Sequence, residues 1–139
     1  MKIEINRKNK AYHMEASNED GNIVSIDGSP AIGGEGKGVR PMQLLLAGIG
    51  SCSAIDVISI LKKQKQELED IKITIDGDRE PGAVPAVFTK IHLHFHLVGK
   101  LDSKKVERAL KLSVDQYCSV AKMLEKTAEI SYDYSIAEK

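Results

Sequence analysis

The stretch Arg40–Leu61, RPMQLLLAGIGSCSAIDVISIL, decides how the rest of the chain is read. From Pro41 to Ile55 it carries no charged side chain, although 29% of the protein's residues are charged. Its apolar residues Leu44, Leu45, Leu46, Ala47 and Ile49 point in several directions on a helical wheel, and a helix apolar on every side must be buried on every side. Near its middle, Gly48, Gly50, Ser51, Cys52, Ser53 and Ala54 are small enough for another backbone to come close. The stretch reads as a central buried helix carrying one thiol.

Upstream, Lys2 to Arg7 and Ala11 to Ser17 read as strands joined at Lys8-Asn9-Lys10, and Ile23, Val24 and Ile26 as a third. Asp27 to Gly38 holds five Gly and one Pro in twelve residues, the composition of a mobile loop. Pro41 suits the first turn of the helix, where its missing N–H costs nothing. Downstream the helical register continues to about Glu67. Ile71, Ile73 and Ile75 alternate with polar residues as far as Asp78, which predicts a half-buried strand. Val87 to Val98 alternates again, with Ile91, Leu93, Phe95 and Leu97 on one face. An amphipathic helix follows from Asp102 or Ser103, then a shorter helix around Val120 to Lys126 and a last strand over Ala128 to Ile136. Grouped strands separated from helices indicate an α+β fold in one domain, 1–139.

Burial then becomes a constraint. A helix of about 25 residues is about 37 Å long, whereas a domain of this size has a radius of gyration near ~14 Å. One sheet cannot cover such a helix all round. A second copy can, with the two long helices crossing at the small residues, which predicts a two-fold homodimer. The competing arrangement is a monomer whose sheet curls round the helix.

Twenty basic and twenty acidic residues cancel, so charge gives no reason to expect nucleic acid or an anionic membrane as partner. The first residues, MKIEINRKNKAYHMEAS, alternate charge and apolarity without the apolar core of a signal peptide. The uncharged core around Leu45 is shorter than the roughly 20 residues a bilayer needs. A soluble cytoplasmic protein is expected, with both cysteines reduced and any disulfide transient.

Cys52 and Cys118 lie 66 positions apart, which excludes a CxxC redox loop or zinc knuckle. The plain reading of each alone is a small hydrophobe that fills space. Cys118, however, falls at a junction between helical segments, in Tyr117-Cys118-Ser119-Val120. Cys52 lies about three turns into its helix, beyond reach of the helix dipole, and an unperturbed thiol of pKa about 8.5 is mostly protonated at neutral pH. A reactive Cys52 therefore needs a cation nearby.

The two segments GVRPMQLLLAGIGSCSAIDVISIL and QYCSVAKML, at this separation, resemble the OsmC/Ohr family of thiol-dependent peroxidases. The resemblance covers essentially the whole chain. It implies antiparallel sheets wrapped around long central helices in an intertwined homodimer, with the active sites at the subunit interface. It also implies Cys52 as the peroxidatic thiol and Cys118 as the resolving one, and a small thiol or dithiol, lipoylated proteins included, as reductant. No cofactor and no metal are implied. The family's Pro-Glu-Gln/Glu-Leu at the helix start is here Pro41-Met42-Gln43-Leu44, so the glutamate that would hold an activating arginine is replaced by Met42. No arginine lies in Ala16–Gly21, where the family supplies it, and Ser119 follows Cys118 where the family has proline. Arg40 is the cation left near the helix. It is roughly 18 Å from its own Cys52 along one helix but closer to the partner's thiol if the helices cross, so Arg40 of one chain is expected to activate Cys52 of the other. The pocket for a bulky organic hydroperoxide is expected at Met42, Leu45, Leu46 and Ile49, with Ile55 beside it.

Two further motifs carry less. Gly33-Gly34-Glu35-Gly36-Lys37-Gly38 lacks the spacing of a phosphate loop and reads as a surface loop or a flexible lid. His92, His94 and His96 share one strand face, near enough in pairs for a zinc ion, but no third ligand is evident and a polar sheet face is the expectation. The competing function is a dimeric binding protein with an apolar interface pocket, Cys52 then acting at most as a redox sensor.

Overall fold

The computed structural model describes residues 1–138. These form two compact units, residues 1–45 and the remainder from Leu46. In the first unit β1 (Ile3–Arg7), β2 (Met14–Asn18) and β3 (Ile23–Ile26) make an antiparallel sheet in that order. Cross-strand partners Ile5↔Ala16, Ala16↔Val24 and Met14↔Ile26 place Ile3, Ile5, Met14, Ala16, Val24 and Ile26 on one face. Of these only Ile26 is buried, while Ile3, Ile5 and Val24 stand exposed. The β1–β2 connection is longer than Lys8–Lys10, because Asn9 Oδ1 accepts the N–H groups of Ala11 and His13 and so occupies backbone that would otherwise extend β2.

The glycine-rich segment is a braced turn rather than a free loop. It contains a 3-10 turn, Pro30–Ile32, and Ile26 bridges Val39 in parallel. Asp27, buried, accepts N–H groups from Gly28 (2.7 Å), Glu35 (3.2 Å) and Lys37 (3.1 Å). Gly34 permits this closure, since a Cβ there would lie 1.8 Å from the Gly28 carbonyl oxygen.

The helix α1 (Pro41–Lys63) begins where expected, with Gln43 Oε1 accepting the Arg40 N–H at 2.9 Å as in the reciprocal half of a capping box. It stops four residues short of Glu67. Lys65 adopts a left-handed conformation and Gln66 N–H reaches the Leu61 carbonyl at 2.9 Å, a Schellman-type ending that frees the chain to enter β4 at once. Thus β4 spans Glu67–Arg79 and pairs with β5 (Phe88–Lys100) along nearly its whole length.

After β5 come α2 (Ser103–Leu112), capped by the Asp102 carboxylate on Lys105 N–H, a single π turn (Ser113–Tyr117), α3 (Ser119–Leu124) and β6 (Glu129–Ala137). Here the expectation of purely antiparallel sheets needs correction. The order is β4-β5-β6, and β6 runs parallel to β5, because two helices carry the chain back to the starting edge between them. The fold remains α+β, with two small sheets and helices.

Ile91, Leu93, Phe95 and Leu97 of β5 are fully buried, as are Val106, Ala109 and Leu110 of α2 and Ile49, Val57 and Leu61 of α1. The stripe Ile49-Ser53-Val57-Leu61 is what one turn per four residues puts on one side of a helix. Burial on every side is therefore not met within one chain: Ile55 is 65% and Ile58 42% exposed, since the sheet covers α1 from one side only. By length and composition α1 could cross a membrane, yet its stripe forms core. Its small residues admit side chains of the same chain. A Cβ at Gly50 would lie 2.6 Å from Ile75 Cδ1, and Gly48 faces Val120.

Candidate functional site

Helical geometry places residues four apart on one face, so Cys52 and Asp56 of α1 project together. The third group arrives from the π turn. Its extra residue per turn lets Cys118 N–H bond the Ser113 carbonyl at 2.7 Å, after which Cys118 leaves helical conformation and caps α3, its sulfur accepting Ala121 N–H at 3.3 Å. The outcome is a cluster in which the sulfurs of Cys52 and Cys118 and a carboxylate oxygen of Asp56 all lie within 4.8 Å of one another. Cys118 is wholly buried; Cys52 and Asp56 are half-buried. Both cysteines are free thiols.

Two buried serines brace the cluster. Ser53 Oγ donates to Cys118 Sγ at 3.4 Å. Ser113 Oγ lies 3.1 Å from the Ser53 carbonyl and 3.3 Å from Asp56 Oδ2, and can donate to either. Burial pushes the Cys118 thiol above its ordinary range, outweighing the donors from Ser53 and Ala121, and the neighbouring Cys52 pushes it the same way. Both effects favour the protonated thiol at Cys118. Asp56 and Ser113 are absent from the sequence reading, and Ser53 figures there only as a small residue. The one signal that could have found Asp56 is its spacing of four from Cys52.

The other expected residues are dispersed. Arg40 fixes the start of α1 through its backbone and makes no ion pair among the described residues; it belongs to the first unit and Cys52 to the second. Met42 and Leu46 are half-buried, Leu45 is exposed, and Ile49 is fully buried with its carbonyl 4.0 Å from Cys118 Sγ. Ile49 thus backs the thiol rather than lining an open surface.

His92, His94 and His96 occupy the polar face of β5, opposite the buried Ile91, Leu93 and Phe95. Parallel pairing sets them beside Ser131, Asp133 and Ser135 of β6. His94 Nδ1 lies 2.5 Å and His92 Nε2 3.3 Å from Asp133 Oδ1, while His96 Nδ1 bonds Ser135 Oγ at 2.8 Å. The His94 hydrogen bond, aided by His92, holds the Asp133 carboxyl below its usual range. Among the described residues, the cluster whose donors converge closely enough for a metal ion is the Cys52-Asp56-Cys118 set, not this ladder.

Comparison with known proteins bears on the whole chain. The sequence profile of OsmC-like proteins matches residues 34–133. Protein YhfA of Escherichia coli is 40% identical over 117 residues, 84% of each chain. A protein of Aquifex aeolicus superposes with TM-score 0.85 at 34% identity, over 99% of this chain and 96% of its own. A Legionella pneumophila protein, named an organic hydroperoxide resistance protein, superposes with TM-score 0.71 at 20% identity, over 97% of each chain, a likeness of fold alone.

Proposed function

The chain belongs to the OsmC-like family, and from that premise and its facing thiols we propose that it is a homodimeric, thiol-dependent peroxidase of organic hydroperoxides. The observation that carries this reading is the approach of Cys52 and Cys118 to within 4.8 Å, one half-exposed and one buried. A disulfide needs the sulfurs about 2.05 Å apart, so the pair must draw together from a separation within 4.8 Å.

Cys52 thiolate attacks the distal oxygen of ROOH; the O–O bond breaks, ROH leaves after taking a proton, and Cys52 becomes a sulfenic acid. The Cys118 sulfur then displaces hydroxide from that sulfenic sulfur, and the thiol proton completes a water molecule. A dithiol restores both thiols by exchange and is itself oxidised. Supporting an organic peroxide over hydrogen peroxide are the apolar Met42, Leu45 and Leu46 upstream on the same helix and Ile55 beside the thiol. The exposed Leu45, Ile55 and Ile58 support the homodimer, whose partner supplies Arg40 to activate Cys52. A reducing cytoplasm would keep the resting thiols free.

The test is turnover of cumene hydroperoxide by reduced protein with a dithiol in excess. The expected result is many peroxides consumed per chain, a Cys52–Cys118 disulfide when the dithiol runs out, and only background loss for Cys52→Ser. A second reading has its own observation, since Met42 stands where the resembled family carries the glutamate that holds an activating arginine. Oxidation of one equivalent without turnover identifies a redox sensor, and absence of any disulfide leaves a ligand-binding module.

A further inference from the structure

The thiol–disulfide chemistry described above makes no use of Asp56. Its carboxylate stands within 4.8 Å of both sulfurs, so three groups that can each offer one donor atom converge on one point. Among the described residues no lysine, arginine or histidine forms an ion pair with Asp56; its partner is the Ser113 hydroxyl.

The geometry points to a zinc site: we propose that the reduced protein binds one Zn²⁺ per chain through Cys52 Sγ, Asp56 and Cys118 Sγ. A tetrahedral ion with Zn–S of about 2.3 Å and Zn–O of about 2.1 Å sets its donors roughly 3.5–3.8 Å from one another. The three donors already lie within 4.8 Å, so at most about an ångström of side-chain contraction seats the ion. Two thiolates and one carboxylate are a donor set for zinc, whereas magnesium and calcium take oxygen throughout. Three protein ligands leave a fourth position open to water.

The surroundings suit such an ion. Ser113 Oγ reaches Asp56 Oδ2 and can orient the carboxylate, and Ser53 Oγ and Ala121 N–H donate to Cys118 Sγ, so two ligands have outer hydrogen bonds. Cys52 and Asp56 come from one helix at a spacing of four, and Cys118 from the start of α3, so the ion would join two segments of the chain. As each thiol ligates, its proton passes to solvent.

Zinc has no redox chemistry of its own, so the bound ion leaves the sulfur oxidation state unchanged. The disulfide, by contrast, consumes both thiolate ligands. The ion and the disulfide exclude one another, and oxidising the pair releases the metal. This last step rests on the disulfide described above, whereas zinc binding by the reduced chain does not.

The experiment titrates reduced, metal-free protein with Zn²⁺ against a chromogenic chelator, with Co²⁺ as a second probe. Wild type should hold one zinc per chain, and its cobalt form should show a sulfur-to-metal charge-transfer band. Cys118→Ala should lose that band together with zinc binding. Asp56→Asn, nearly the same shape and half-exposed, should weaken zinc by about tenfold or more, the order seen for outer-shell changes alone. His94→Ala, on the opposite sheet face, should still hold one zinc. Failure of wild type to compete with the chelator overturns the proposal, as does undiminished binding in Cys118→Ala or Asp56→Asn. Diamide added to the zinc form should then release one zinc per disulfide formed; zinc retained through that oxidation overturns the exclusion. Peroxide turnover, measured separately in chelator, decides the peroxidase reading without touching the metal result.

Discussion

At Asp27 three backbone N–H groups converge on one carboxylate. Burial alone would raise its pKa, but the Lys37, Glu35 and Gly28 donors prevail and hold it below the ordinary value. A carboxylate depressed in the folded state contributes stability that is complete above the unfolded value, about 3.9, and is lost as pH falls through the lower folded value. A carbon-detected titration should therefore place Asp27 below the range of a free aspartate. Amide exchange at Glu35 and Lys37 should accelerate only under those acidic conditions, and unchanged exchange through the Asp27 transition would contradict the bracing role. Neither this carboxylate nor Asp56 is legible in the sequence. Asp27 opens a glycine-rich run that composition reads as free chain, and Asp56 lies just past the uncharged stretch. What both do depends on which backbone folds back onto them. Cys52 and Cys118 are singled out as a pair only through the resemblance of the segments around them to the OsmC/Ohr family, since each thiol alone reads equally well as a space-filling residue.

Among elements, periodicity serves where one force dominates. The alternation of Ile91, Leu93, Phe95 and Leu97 becomes the buried face of β5, and Pro41 marks the start of α1. It fails where a local hydrogen bond overrides pattern, as at Lys65, whose left-handed turn ends α1 before the expected end at about Glu67. The π turn at Ser113–Tyr117 is likewise invisible to a count of apolar positions, although it delivers Cys118 to the site. The glycine-rich turn offers a test at this scale. A mobile loop would accept Gly34→Ala with little effect, but in the braced turn the added Cβ meets a backbone carbonyl that cannot swing aside as a side chain would. Gly34→Ala should cost about 1–3 kcal/mol, the range for overpacking a close contact, read as a lower midpoint in urea with little change in slope.

For the molecule as a whole, the apolar surface left open by one chain is the decisive quantity. The β1–β3 sheet leaves Ile3, Ile5 and Val24 exposed on one face, and α1 leaves Leu45, Ile55 and Ile58. Three strands without a buried apolar face are poorly stable in water, and the proposed second copy would remedy both exposures. If the partner's Arg40 activates Cys52, the two residues of one working site come from different chains, and complementation can detect this. Arg40→Ala and Cys52→Ser proteins, each inactive alone, are unfolded together and refolded. In the mixed dimer one site lacks both residues while the other joins an intact Cys52 to an intact Arg40. Random pairing under two-fold symmetry makes half the dimers mixed, each with one working site, so activity should return to about a quarter of wild type. An arginine acting within its own chain gives no recovery, because every site then lacks one of the two residues. Full activity in Arg40→Ala alone would remove Arg40 from the mechanism and leave the thiol's activation to groups on the second unit.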